Sequence, residues 1–211
     1  MAKILLVSSS FESVSLVTAS EKNRAGVKIP PNSHYPLGIA FLHSSLESKG
    51  HLVKSLFLNG YDYDDCFKIV IETIQSFEPD IVGFQMLTSN RVSTYDLMEH
   101  IHENYPEIKV IIGGIHATIM FRQLVKKFSY AIAILGEGEI TFAELAEKLF
   151  QPNADLNEVD GIAFYKNGSL VTTKTRKLIE NLDTLPLPKH DIFFEDGKRT
   201  SACLLTTRGC P

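Results

Sequence analysis

Glycine and hydroxyl residues stand at the ends of three apolar segments of this chain. Gly113-Gly114 follows one segment, Gly136-Glu137-Gly138 follows the next, and Thr88-Ser89 follows an earlier one. A single glycine pair is typical of a tight strand-to-helix turn and needs no ligand. Two such turns on adjacent strands, with hydroxyls beside them, would form a trench where a bulky flat group can approach the backbone, because glycine has no side chain. The pattern therefore predicts ligand binding rather than proton transfer.

The segments that position these residues alternate between two periodicities. Five short apolar runs rich in Val, Ile and Leu are typical of strands buried on both faces, and apolar residues at helical spacing lie between them. This alternation predicts an α/β fold, a flavodoxin-like (Rossmann-like) doubly wound sheet of five parallel strands in the order 2-1-3-4-5, with ligands at the carboxyl ends of the strands. Ser93 with Asp96 predicts a capping box at the third helix. The predicted strands are Lys3–Ser8, His51–Leu58, Asp80–Met86, Lys109–Ile112 and Ala131–Leu135.

The pattern changes after residue 150. Two apolar runs, 161–165 and 169–173, flank Lys166-Asn167-Gly168, and Asn-Gly between apolar strands predicts a β-hairpin. The prolines of Leu182–Pro188 indicate a linker. A last strand-like run, Ala202–Thr206, has little after it, which suggests a truncated chain. We expect three parts: a ligand-binding domain at 1–150, a β-hairpin and proline-rich linker at 151–199, and the start of a truncated domain at 200–211.

Composition and charge argue against several classes of function. The net charge is -4, whereas a protein that grips a phosphate backbone needs clustered Lys and Arg. No apolar run approaches the ~20 residues that cross a bilayer. The three cysteines, Cys66, Cys203 and Cys210, form neither a disulfide framework nor a zinc-type pair. We therefore expect no nucleic-acid partner, no membrane span and a cytoplasmic location.

Several ligands of doubly wound domains require residues that this chain lacks. A Walker-type loop needs a glycine-rich turn with Lys-Ser/Thr, and a dinucleotide fingerprint needs three glycines after the first strand, where Ser8–Ser13 has none. Serines at a helix start could bind a flavin phosphate, but Ser8–Tyr35 is too long and irregular for a tight phosphate turn. A phospho-acceptor domain needs acidic residues where this chain has Val7-Ser8 and Gln85-Met86.

Taken together, the motifs resemble the cobalamin-binding domains that precede radical SAM domains. Each piece alone is weak, and their order and spacing carry the resemblance. It implies that residues 1–150 bind cobalamin and that residues 200–211 begin a radical SAM domain. The matching pieces are Tyr35-Pro36-Leu37-Gly38, Lys49-Gly50-His51, Pro79–Gly83, Gly113–Thr118, Gly136–Glu139 and Thr206–Pro211.

This resemblance also implies a set of site residues. In such domains the glycine pair after strand four, here Gly113-Gly114, lets the nucleotide tail of cobalamin lie between sheet and helix. The third strand ends in Ser-x-Leu, whereas this chain has Gln85-Met86-Leu87, so Thr88 or Ser89 must supply any hydroxyl. The residues expected to hold the corrin side chains and the tail are Ser9, Ser10, Thr88, Ser89, Gly113, Gly114, Ala117, Thr118, Gly136, Glu137 and Gly138.

The lower cobalt ligand is a departure from many cobalamin domains. Those domains carry Asp-x-His-x-x-Gly after the first strand, but Ser8–Ser15 contains no histidine, and His34 is the only one in that loop. His116 lies in the turn expected to hold the tail, and we interpret it as a partly buried polar residue. The resemblance therefore implies cobalt without a protein imidazole, as in cobalamin-dependent radical SAM methyltransferases.

Cys210 has two interpretations. A lone cysteine near a terminus is usually an inert thiol. With Thr207-Arg208-Gly209 before it and Pro211 after it, Cys210 resembles the first of three cysteines that hold a 4Fe–4S cluster in radical SAM domains. The other two are absent, so this chain should not assemble the cluster.

The resemblance extends to the parent protein, which is implied to use cobalamin, a 4Fe–4S cluster and S-adenosylmethionine. We expect it to methylate an unactivated carbon, with the missing radical SAM barrel of the same polypeptide as partner. The chain itself would not be catalytic. The alternative is an interaction or substrate-capping domain that keeps the fold and has lost cobalamin.

Overall fold

The computed structural model describes residues 1–11, 36–193, 205, 207 and 208. Strands and helices alternate along the first 150 residues, and two further strands follow. Short 3-10 turns lie at Leu156–Glu158, Leu182–Thr184 and Asp191–Phe193. The longer elements of the described residues are β1 Lys3–Ser8, α1 Leu37–Ser48, β2 Leu52–Phe57, α2 Tyr63–Phe77, β3 Ile81–Gln85, α3 Arg91–Asn104, β4 Lys109–Gly113, α4 Ile115–Lys127, β5 Ile132–Ile134, α5 Glu139–Lys148, β6 Ile162–Lys166 and β7 Ser169–Thr172.

The strands of the described residues form one sheet in the order β2-β1-β3-β4-β5-β6-β7. The first five are parallel, which confirms the predicted doubly wound order. β1 lies between β2 and β3, with Val7 opposite Leu56 on one side and Phe84 on the other. The chain order therefore reverses at β1, and open sheets of this kind have a crevice at the carboxyl ends of the strands beside such a reversal.

The predicted hairpin is present, and it belongs to the same sheet. β6 pairs antiparallel with β5, with Ala133 opposite Ala163, and β7 pairs with β6. Asn167 and Gly168 both have positive φ angles, 51° and 78°, as a tight hairpin turn requires. The sequence predicts a hairpin that follows a five-stranded sheet, whereas the hairpin extends that sheet to seven strands, because the apolar residues of β6 are buried beside β5. The domain boundary at residue 150 stays a prediction.

Both faces of the sheet are covered by helices, and successive strand residues point to opposite sides. On β1, Leu5 and Val7 lie in one core with α2, α3 and α4. Ile4 and Leu6 lie in the other core, with α1 and α5. None of the helices in the described part of the chain combines the length and the apolar character that crossing a bilayer requires.

Gly83 on β3 allows α5 to seat closely on the sheet. A β-carbon at this position would lie 2.8 Å from Cε1 of Phe142 and 3.1 Å from Cδ2 of Leu6. Both neighbours are almost completely buried, so a β-carbon at position 83 would have to displace one of them from its packed position. The Phe142 ring therefore occupies the space that any other residue at position 83 would need.

We predict that Gly83→Ala lowers the free energy of unfolding by about 1–3 kcal/mol, the usual cost of overpacking a core. Urea denaturation monitored by circular dichroism measures this change. Gly113→Ala is the matched control on β4, because a β-carbon there would meet only Ile134 Cβ, at 3.9 Å. Equal stability of the Gly83→Ala and Gly113→Ala proteins would contradict the prediction.

Candidate functional site

A cavity of about 270 Å³ lies at the carboxyl ends of β1, β3, β4 and β5, between the sheet and helices α1 and α5. Apolar side chains from three of these strands and from α5 form its floor. Glycine turns after β4 and β5 form its mouth, so the backbone is accessible there. The floor consists of Leu6, Ile111, Ile134 and Phe142, and the mouth includes Gly113, Gly114, Gly136 and Gly138.

One amide group stands among the apolar walls. The Ser8 hydroxyl donates a hydrogen bond of 3.0 Å to Oε1 of Gln85, at the end of β3. The other end of the amide, Nε2, lies beside Gly38 of α1, and it has no acceptor among the described residues. The amide is thus held in place at one end, while its other end is available to a ligand.

A charged cluster lies at the cavity mouth, at the start of α5. Nη2 of Arg208 lies 2.6 Å from Oε1 of Glu139, and Nη1 lies 3.5 Å from Oε1 of Glu137. The same guanidinium lies over the Phe41 ring of α1, 4.6 Å from its centroid. Glu137 also accepts a hydrogen bond of 2.7 Å from the Ile179 amide. We call Arg208, Glu137 and Glu139 the mouth cluster.

Five of the predicted site residues line this cavity: Gly113, Gly114, Gly136, Glu137 and Gly138. Gly114 is also required by the backbone, since its φ is 90° and a β-carbon there would lie 3.0 Å from the Met86 carbonyl oxygen. A β-carbon at Gly138 would lie 3.1 Å from Leu42 of α1. A side chain at either of these two positions would push the neighbouring elements apart, whereas Gly113 has room for a side chain.

Ala117 and Thr118 lie on α4, behind the mouth. Ala117 is buried in the core on the far face of the sheet. The Thr118 hydroxyl accepts a hydrogen bond of 3.1 Å from the Gly136 amide. Thr118 thus connects the two glycine turns without lining the cavity.

The predicted serines and threonine lie elsewhere at the same edge of the sheet. Ser9 and Ser10 are completely buried and face α3 and the end of β2: the Ser9 hydroxyl lies 2.7 Å from that of Thr94, and the Ser10 hydroxyl donates to the Tyr61 carbonyl at 2.6 Å. Thr88-Ser89 is exposed after β3. None of these four residues lines the cavity.

The predicted capping box at α3 is wrong. The helix begins after Asn90, whose side chain accepts a hydrogen bond from the Leu87 amide at 2.8 Å. Ser93 lies inside the helix, and its hydroxyl donates to the Ser10 carbonyl at 2.5 Å. Asp96 instead accepts a hydrogen bond from the Tyr63 hydroxyl. Tertiary hydrogen bonds with β1 and α2 have therefore replaced the local ones that the sequence suggested.

His116 is half-buried beside the mouth. Its Nδ1 lies 3.1 Å from the Thr88 hydroxyl. Burial, and next the positive charge of Arg91, lower the pKa of His116 below its ordinary value. Burial thus favours the neutral imidazole, and its partner is the Thr88 hydroxyl. His116 is therefore a partly buried polar residue, as interpreted from the sequence. His34 and Cys210 lie outside the described residues.

Sequence reasoning missed several residues of the site. Gln85 stands where related domains have serine, and sequence reasoning assigned it no role of its own. A polar residue at the end of a buried strand is nevertheless a signal of a binding site at that strand end. Glu139 and Arg208 belong to motifs that carried the resemblance, but neither was given a role. Phe41 and Leu42 carry no local signal, because a helix positions them.

The fold and the cavity define a doubly wound domain with a largely apolar cavity beside its switch point. A protein-family model described as B12 binding domain matches residues 24–146. The chain therefore belongs to the B12-binding domain family, and its ligand class is cobalamin.

The curated relatives are longer than this chain. The uncharacterized methyltransferase PH0819 of Pyrococcus horikoshii is 32% identical over 184 residues, 83% of this chain and 39% of that protein. The anaerobic magnesium-protoporphyrin IX monomethyl ester cyclase of Rubrivivax gelatinosus is 32% identical over 187 residues, 83% of this chain and 33% of that protein. The chain thus spans between a third and two fifths of these relatives.

Among solved structures, the cobalamin-dependent S-adenosylmethionine radical enzyme OxsB, with aqua-cobalamin and S-adenosylmethionine bound, is similar to this chain. The TM-score is 0.72 and the sequence identity is 18%, over 94% of this chain and 25% of that one. At this identity the likeness shows that the fold is shared.

We predict that Gly113→Val weakens hydroxocobalamin binding by about tenfold or more, since a clash costs roughly 1–3 kcal/mol and each 1.4 kcal/mol is a factor of ten. The added methyl groups would enter the cavity, while the free protein has room for them. Titration followed by visible absorbance measures the affinity, and thermal unfolding checks that the free protein is intact. Ser169→Val on β7 introduces the same side chain at an exposed position away from the cavity and should change neither value. Unchanged affinity in Gly113→Val would show that the ligand lies elsewhere.

Proposed function

We propose that this chain is the cobalamin-binding part of a radical SAM enzyme, and that it holds the nucleotide tail of cobalamin in the cavity between the sheet, α1 and α5. The observation that carries the proposal is the cavity itself, a deep apolar space at the switch point with glycine turns at its mouth. Cobalamin, when bound, supplies a cobalt centre that can carry a methyl group. The residues of this chain bind and orient it.

The size and lining of the cavity fit the tail rather than the whole ligand. Pockets that enclose a complete drug-sized molecule have volumes of roughly 300–1,000 Å³, and this cavity has about 270 Å³. An aromatic base fits a space lined by Leu6, Ile134 and Phe142. The corrin would then lie outside the cavity, over the carboxyl edge of the sheet.

The polar groups of the site divide into two roles under this proposal. The Gln85 amide, held by Ser8, would form a hydrogen bond with the buried base. The open backbone at Gly113 and Gly136 would let the tail enter, and Thr88-Ser89 at the exposed edge is available to the corrin side chains.

The remaining predicted residues would act indirectly. Ser9 and Ser10 fix the end of β1 through their hydrogen bonds with neighbouring elements, and Thr118 fixes the turn at Gly136. Ala117 leaves space for the close packing of α4 on the sheet. Their role would be to keep the cavity in shape.

The radical SAM assignment rests on the Thr207–Pro211 motif and on the relatives. One relative is named a methyltransferase and another a cyclase. The proposal that the parent protein methylates a carbon follows the relative named a methyltransferase. In the parent protein Cys210 would be one of three cluster ligands beside S-adenosylmethionine, and the radical SAM barrel would cover the corrin. A cytoplasmic location and a cobalt without protein imidazole belong to the same proposal.

The alternative, a domain that has lost cobalamin, predicts a different interior. Such a domain gains stability when side chains fill the former ligand space, because unfilled cavities are costly. Here the described residues enclose an open cavity of about 270 Å³ and have glycines at its mouth. This observation favours binding over loss.

We predict that saturating hydroxocobalamin raises the melting temperature of this protein by about 5–10 °C. A ligand at ~100 times its Kd stabilises the folded state by about 2.7 kcal/mol, and each kcal/mol moves Tm by roughly 2–4 °C. Cobinamide, which lacks the nucleotide tail, should give a much smaller shift. Differential scanning fluorimetry checks both. Flavin mononucleotide and ATP serve as controls, and a shift with either of them but none with hydroxocobalamin would refute the proposed function.

We also predict that Gln85→Met lowers the affinity for hydroxocobalamin by about tenfold, since loss of one hydrogen bond costs around 1 kcal/mol or somewhat more. Methionine matches the length of glutamine and keeps the cavity filled, so packing changes little. Cobinamide affinity should stay the same, because the tail is absent from it. Equal losses for both ligands would place the effect in the fold rather than in a contact with the base.

A further inference from the structure

The mouth cluster joins parts of the chain that are far apart in sequence. Arg208 lies 71 residues from Glu137 and 69 residues from Glu139. Its side chain is 19% exposed, and that of Glu139 is 6% exposed. Leu205 and Arg208 also line the cavity. These two residues therefore form part of the cavity wall, although they lie beyond the residues matched by the family model.

The chain after the hairpin is fastened along α1 and α5. Arg176 forms an ion pair with Glu144 on α5. The Lys189 amide donates to the Ala40 carbonyl on α1 at 3.1 Å. Glu137 binds the Ile179 amide with one oxygen and faces Arg208 with the other. Residues on both sides of the proline-rich stretch are thus bound to these helices and to the start of α5.

Burial explains why the carboxylates favour this arrangement. A buried carboxylate loses most of its hydration, and it needs a cation or hydrogen-bond donors in return. Arg208 is the only partner of the Glu139 carboxylate among the described residues. Guanidinium–carboxylate hydrogen bonds are stronger than neutral ones, and the Phe41 ring adds a cation–π contact. The start of α5 is therefore a site shaped for a guanidinium group.

We propose that Glu137 and Glu139 form a docking site for Arg208, and that Arg208 is a positioning residue that holds the start of the Thr207–Pro211 motif, Thr207 and Arg208, at the mouth of the cobalamin cavity. The cobalamin part of this inference rests on the proposed function, whereas the docking itself does not. Docking completes the cavity wall at Leu205 and Arg208, so it should also strengthen ligand binding. In the parent protein it would set where the cluster-binding segment begins relative to the corrin.

Trypsin cleavage after Arg208 tests the docking directly. A docked arginine cannot enter the protease, so cleavage between residues 208 and 209 should be slow in the wild-type chain. Glu139→Gln and Glu137→Gln should each increase the cleavage rate about tenfold. Loss of a hydrogen bond to a charged group costs about 1.5 kcal/mol or more, which raises the population of undocked Arg208 by about a factor of ten. Mass spectrometry follows the loss of the last three residues. Glu147→Gln, a change of the same type at an exposed position on the same helix, should leave the rate unchanged.

Hydroxocobalamin titration tests the consequence for the ligand. Arg208→Met should lower the affinity by about tenfold, and Arg208→Lys, which keeps the charge, should restore a substantial part of it. Unchanged cleavage in both Glu137→Gln and Glu139→Gln, or equal acceleration in Glu147→Gln, would overturn the docking. If the wild-type chain binds no cobalamin while Glu139→Gln still accelerates cleavage, the docking stands and the proposed function fails. Equal affinity of Arg208→Met and wild type would overturn the role in cobalamin binding.

Discussion

The close approach of α5 to the sheet is the contact on which the site depends. The Phe142 ring occupies the space over Gly83, where a β-carbon would lie only 2.8 Å away. With the helix seated this closely, the turn before it brings Gly138 against Leu42 of α1. The cavity is the space that remains between these two helices and the strand ends, with Phe142 as part of its floor. A larger residue at position 83 would displace the helix that carries one wall.

Two polar networks at the same edge of the sheet have different tasks. On the side of α2 and α3, the serines after β1 bind carbonyl and hydroxyl groups of neighbouring elements, so they fix the end of the strand. On the side of α1 and α5, the polar groups are spaced apart in an apolar lining: Gln85 lies inside the cavity, and Glu137 and Glu139 lie at its mouth with Arg208. Only the second network has groups within reach of a ligand in the cavity.

Much of the fold could be predicted because its signals are local. The apolar runs gave strand positions within about a residue or two of those observed, a normal uncertainty for element ends, and Asn167-Gly168 indicated the hairpin. The place of the hairpin in the sheet could not be predicted, because pairing between β5 and β6 depends on how the chain returns after α5. The capping box at Ser93 failed for a related reason: the Ser10 carbonyl, brought close by the fold, accepts a hydrogen bond from the Ser93 hydroxyl.

The sequence by itself indicated where the cavity mouth lies, because glycines mark the turns after β4 and β5. At Gly114 the backbone has a φ of 90°, which favours glycine, so a single residue type carries the signal. It also determined the family through the order of its motifs. Only the tertiary structure decided which polar residues face the cavity. Ser8 and Ser9 are neighbours at the end of β1, yet their hydroxyls bind on opposite faces of the sheet, one to Gln85 and the other to Thr94. The reason is that successive residues along a strand point to opposite sides. The partners of Arg208 lie about 70 residues away, and such a pairing follows from folding rather than from spacing.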